Sequence, residues 1–146
     1  MTRARVPVAA LVVLLPLLAG CGRAQSYCDA VKGHQSELGS IVHSGDRTAL
    51  IQALPVFKDL AGKAPADVTP DWKLLVARVS ALQTALDHAG VDPSAYDPRH
   101  PPAGLGAEDR ALIRTAAAQL AAADTQQALA NVQQEVLDVC HTPLEL

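Results

Sequence analysis

Residues 69–90 read TPDWKLLVARVSALQTALDHAG, a helix with both of its ends written into it. Thr69 offers a capping hydroxyl, Pro70 suits the first helical position, and Asp71 adds an acid favoured by the helix dipole. Trp72, Leu75, Val79, Leu82 and Leu86 then recur at helical spacing and form one apolar seam. Gly90 supplies a C-terminal stop. The spacing predicts a helix over 70–89, and a helix with one apolar stripe must bury it against neighbours.

The flanking sequence supplies those neighbours. Upstream, Ser26 is a capping residue with Asp29 at the capping-box position. Tyr27, Val31, His34, Leu38 and Ile41 follow at spacings of four, three, four and three, which predicts a helix to His43. A second helix is expected after Asp46, with Leu50, Ile51, Leu54, Phe57 and Leu60 inward. Pro55 should kink or split it, because it removes an amide donor and crowds the preceding turn. Downstream, VDPSAYDPRHPPAGLG (91–106) carries Pro93, Pro98, Pro101 and Pro102 and reads as a stiffened loop. Residues 107–123 are alanine-rich and helical, with Leu112, Ala116 and Leu120 on one face. Asp124-Thr125-Gln126-Gln127 resembles a fresh cap for a helix over about 125–140 that presents Leu129, Val132, Val136 and Val139 or Cys140; one helix over 107–140 is the alternative. The fold class is all-α: a small bundle of four to five helices with a proline-rich loop. There is no alternating β-branched run for a strand.

The chain starts with Arg3 and Arg5 and no acid, followed by fifteen uncharged residues from Val6 to Gly20. A basic start, a short apolar run and small residues at the boundary describe a secretory signal. The run is shorter than the roughly 20 residues a bilayer span needs. Leu18-Ala19-Gly20-Cys21 resembles the lipobox of bacterial lipoproteins. That resemblance implies cleavage before Cys21, a diacylglycerol on its thiol, and residence at the extracytoplasmic face of the cell membrane. The expected organisation is a signal peptide over 1–20, a lipidated tether over 21–25 and a helical domain over 26–146.

With Cys21 assigned to the lipid, Cys28 and Cys140 remain. Outside the cytoplasm two thiols in a small domain usually pair, so a Cys28–Cys140 bridge tying the first ordered residues to the last is expected. Two free buried thiols are the alternative.

The 12 lysines and arginines include Arg3 and Arg5, so the chain after the signal has 10 against 15 acids, a net charge of −5. That balance and the lack of basic clusters argue against nucleic acid as a partner. Attachment to the membrane is left to the acyl chains, two of which hold stably. Tyr27, Phe57, Trp72 and Tyr96 are the only aromatics, too few for a stacking platform, and no cofactor is expected.

The stretches YCDAVKGHQSELGSI, GVDPSAYDP and LDVCHTPLEL, together with the lipobox, resemble a group of small helical lipoproteins of actinobacteria. The likeness covers most of the chain after the signal, carries no catalytic motif, and implies no established activity.

Among single residues, His34 interrupts an apolar seam and has Glu37 three residues on. Asp138 and His141 repeat the acid–histidine spacing at the far end. A metal held by His34, Glu37, Asp138 and His141 is weighed against a histidine hydrogen-bonded to its neighbours. The second reading is preferred, since no Glu-x-x-His, HExxH or CxxC is present. No GxSxG or SxxK occurs either, so the chain is read as non-enzymatic. Tyr96, the one aromatic in the proline-rich loop, is a contact residue or a cover folded back on the bundle; the cover is favoured. Two functions follow: an accessory module that binds an envelope protein, ranked first, and a carrier or sensor of a small apolar ligand or metal ion. They differ physically, because a carrier needs an apolar pocket of a few hundred Å³ whereas a docking module is expected to be packed throughout.

Overall fold

A computed structural model describes the backbone from Leu18 to Leu146 and the side chains from Gly22 onward. Residues 1–17 of the expected signal, and the side chain of Cys21, lie outside the described residues. The described residues form five helices: α1 (Leu18–His43), α2 (Ala49–Lys63), α3 (Thr69–His88), α4 (Ala107–Leu120) and α5 (Ala123–Cys140). No strand occurs among the described residues.

The central helix α3 ends as its sequence requires. Gly90 adopts φ +64°, the Val91 N–H donates to the Leu86 carbonyl at 3.0 Å, and the Gly90 N–H donates to Asp87 at 3.0 Å. This is a Schellman closure, and it needs a residue without a Cβ at the left-handed position. The start of α3 differs from expectation. Thr69 lies inside the first turn and its hydroxyl donates to the Pro65 carbonyl at 2.6 Å rather than capping. A turn over residues 66–68 already precedes it and bonds the Thr69 N–H to Pro65 at 3.0 Å.

Three further boundaries correct the sequence reading. Residues 21–25 are helical and run on into the domain, so Ser26 lies within α1 instead of capping it. Pro55 sits inside an unbroken α2. It is exposed, so the ring lies on the solvent side of the helix while Leu54, Val56, Phe57 and Leu60 stay buried. The break between α4 and α5 is present, as two helices rather than one, but Asp124 makes no cap. Ala122 turns extended (ψ 155°), the Thr125 hydroxyl donates to the Gln119 carbonyl at 2.8 Å, and Arg78 of α3 reaches Gln119 Oε1 at 3.1 Å and Asp124 Oδ2 at 2.9 Å. The Asp124 carboxyl is held low first by the Arg78 hydrogen bond.

Helix α3 is the hub, packing against α2, α4 and α5, and α1 packs against α2 and α5; α4 barely meets α5. The main core therefore belongs to α1, α2, α3 and α5, with α4 as an outer layer on α3. Tyr27, Val31, Leu38, Leu60, Trp72, Val79, Val132 and Val136 fill it. A second, smaller cluster of Leu86, Leu105 and Ile113 lies under the proline-rich loop. Leu50 and Leu112, expected inward, are exposed, and of the pair Val139 or Cys140 it is Cys140 that is buried. On α4 the buried positions are Ile113 and Ala116, because this helix covers one side of α3 alone and its stripe is narrow.

Cys28 and Cys140 are joined by a disulfide with Cα atoms 5.1 Å apart. The tail beyond it is pinned as well: Gln35 Nε2 donates to Thr142 Oγ1 at 2.6 Å and to the Pro143 carbonyl at 3.0 Å, and Leu144 is buried. The turn between them passes through His141 at φ 53°, ψ 34°, a left-handed conformation that costs a side-chain-bearing residue about 1 kcal/mol. His141→Gly is expected to raise the unfolding free energy by roughly 0.5–1 kcal/mol, measured by denaturant titration.

Tyr27 gives the core a pH limit. Burial, only partly offset by the Trp72 hydrogen bond, pushes its phenol from 10.0 up to about 12. Folding thus favours the protonated phenol: this contribution is complete below pH 10 and is lost as pH rises from 10 through about 12. Unfolding free energy measured across that range should fall with phenolate absorbance, by roughly 3 kcal/mol in total. Tyr27→Phe should flatten the dependence.

Candidate functional site

The proline-rich loop is built from a repeated device. In Asp92-Pro93-Ser94-Ala95 the Asp92 carboxylate accepts from the Ser94 N–H at 2.8 Å and the Ser94 hydroxyl at 2.7 Å, and the Ala95 N–H closes the turn on the Asp92 carbonyl at 3.1 Å. Asp97-Pro98-Arg99-His100 repeats it, with the Arg99 N–H on Asp97 Oδ1 at 2.9 Å and His100 N–H on the Asp97 carbonyl at 3.1 Å. Aspartate at the first turn position and proline at the second fix this geometry. Both carboxyls are held below their ordinary range, Asp92 by Ser94 and Asp97 first by His100.

The stiffened loop arches over the gap between the start of α2 and the neighbouring faces of α3 and α4. Beneath it lies a groove of about 720 Å³. Ile51, Leu82, Leu86 and Ile113 line its apolar floor, and Pro93, Tyr96, Pro98 and Pro101 form the loop wall. Leu86 and Ile113 are buried, whereas Ala117 and Ala118 of α4 and Pro98 of the loop are exposed, so the groove opens to solvent there. Among the described residues, Arg47, Arg110 and Arg114 are the only charged ones that line it. At the α2 end, Asp46 fixes Thr48 by accepting from its N–H at 2.8 Å and its hydroxyl at 2.9 Å. A shallower groove of about 440 Å³ runs along the other side of α4, past Leu112.

Tyr96 is half-buried, packs on the Leu86–Leu105–Ile113 cluster and lines the groove. It folds back on the bundle, and in doing so becomes a wall of the cavity. The four residues weighed as metal ligands are not one site. His34 Nδ1 lies 3.0 Å from Glu37 Oε2 and Nε2 lies 3.2 Å from Asp59 Oδ2, so the acids sit on opposite edges of the ring and cannot share an ion with it. Asp59 is held low first by its hydrogen bond to Lys63. Asp138 accepts from Gln134 Nε2 at 2.8 Å, and its charge helps to raise Glu135, after burial and Asp67. His141 turns the backbone. No three histidine, cysteine, aspartate or glutamate side chains converge among the described residues.

Arg47, Arg110 and Arg114 form no cluster in the sequence and are not among the expected site residues. The four-residue spacing of Arg110 and Arg114 places both on one side of α4, and the duplicated Asp-Pro turn was the visible sign of a rigid wall. No family model, no curated protein and no solved structure matches the chain. Among the described residues no helix is long and apolar enough to cross a membrane.

Proposed function

We propose that this chain is a non-enzymatic envelope lipoprotein of the actinobacterial helical type, anchored at the extracytoplasmic face through a lipid on Cys21, and that it carries or senses a small apolar ligand. The lipobox supports the anchor. The groove of about 720 Å³ under the proline-rich loop carries the ligand reading, because it falls in the range of small-molecule sites and is lined chiefly by aliphatic and proline side chains. A module that only docks an envelope protein has no need of such a cavity.

A neutral long-chain alcohol bearing a photoreactive diazirine, added to membranes that hold the full chain, tests this. Labelling is expected to saturate and to map to the surroundings of Leu82, Ile113 and Ala117. Ala117→Trp, which fills the groove from its exposed edge, should lower it several-fold. Labelling dispersed over the exposed Val42, Leu50 and Leu137, and indifferent to Ala117→Trp, contradicts the proposal.

A further inference from the structure

We infer that the groove selects an anionic amphiphile: a single acyl chain on the apolar floor and a carboxylate or phosphate head held by Arg47, Arg110 and Arg114. This rests on the ligand-binding reading above and adds the chemistry of the head.

Among the described residues the three arginines are the only charges on a groove whose floor is aliphatic, in a chain that is otherwise acidic. Arg78, by contrast, is engaged by Asp124 at 2.9 Å and Gln119 at 3.1 Å. Among the described residues no side-chain hydrogen bond or ion pair occupies Arg47, Arg110 or Arg114. The acids nearby are committed elsewhere. Asp46 accepts from Thr48 and Gln52, and Asp109 faces His88 at 3.3 Å. Asp97 feels the charge of Arg47 but receives its hydrogen bonds from His100 and the Arg99 N–H. Three exposed guanidinium groups with no internal partner, beside buried aliphatic side chains, match a molecule with one anionic end and one hydrocarbon end. Guanidinium forks bind carboxylate and phosphate oxygens in pairs.

The test compares two photoreactive probes of the same chain length, a fatty acid and the corresponding fatty alcohol, on membranes carrying the full chain. The acid is expected to label the groove about tenfold more efficiently than the alcohol. The paired variant Arg110→Gln/Arg114→Gln should bring the acid down to the level of the alcohol. Alcohol labelling should be the same in variant and wild type, which reports an intact groove. Competition by unlabelled dodecanoate and dodecyl phosphate then distinguishes the two heads: stronger displacement by one assigns the source, and displacement by either supports the anionic site. Equal labelling by acid and alcohol in the wild type overturns the inference while leaving an apolar-ligand groove in place. Failure of both probes to label the groove removes the ligand-binding reading together with it. Acid labelling that survives the double variant, with the protein held on anionic vesicles, assigns the charge preference to the membrane surface and overturns the arginine site.

Discussion

Trp72→Ala is expected to lower the unfolding free energy by about 3–5 kcal/mol, the range for deleting a large buried aromatic. Trp72 is fully buried at the centre of the main core. Its ring lies 5.8 Å from that of Phe57 at an interplanar angle of 57°, and its Nε1–H donates to the Tyr27 hydroxyl at 2.8 Å. The substitution therefore removes three things together: apolar area, an aromatic contact, and the partner of a buried phenol oxygen. Since domains of this size are stable by only about 5–15 kcal/mol, the variant should melt far below the wild type or fail to accumulate. Trp72→Phe keeps most of the volume and loses the donor, so a smaller loss of about 1–3 kcal/mol is expected. Denaturant titration followed by helical circular dichroism reads both. Equal losses for the two variants would locate the effect in the hydrogen bond rather than in the packing.

Removal of the disulfide should have a comparable effect by a different route. Cys28 and Cys140 are 112 positions apart, and closing a loop of that length restricts the unfolded chain by an amount worth about 5 kcal/mol on the chain-entropy estimate. Other contacts hold the same region in the bonded structure, since Gln35 bonds Thr142 and Pro143 and Leu144 is buried. Cys28→Ala/Cys140→Ala should therefore retain its helical spectrum while its denaturation midpoint falls sharply. A double variant as stable as the oxidised protein would contradict this account of the bridge.

How much of this was legible in the sequence depends on which force sets each feature. The seam of α3 and its Gly90 stop were plain, because hydrophobic spacing and a positive-φ residue are local signals. The Cys28–Cys140 pair was expected from the number of cysteines and the compartment implied by the lipobox. Pro55 does not split α2, since whether a proline ends a helix depends on what the rest of the helix buries, a tertiary fact. Leu112 misled for the same kind of reason: α4 covers one neighbour only, so its stripe is narrower than its apolar content suggests. The groove was the least visible feature. Its floor comes from α2, α3 and α4 and its wall from the loop, and no local pattern announces that four segments leave a space between them. Tyr96 was noticed as an aromatic in a polar loop, but its role as a wall required the two Asp-Pro turns to be placed over α3 and α4. The arginines were overlooked because three residues at positions 47, 110 and 114 form no run, and only the fold brings them to one rim.

The most direct test of the ligand-binding account is native mass spectrometry of the full chain, extracted in mild detergent from the membrane of its own cells. The account predicts a lipidated, oxidised chain that retains one small amphiphile per molecule in the wild type, with that extra mass absent from Ala117→Trp. A wild-type chain that is lipidated and oxidised but carries no such mass, in the same state as Ala117→Trp, would contradict it.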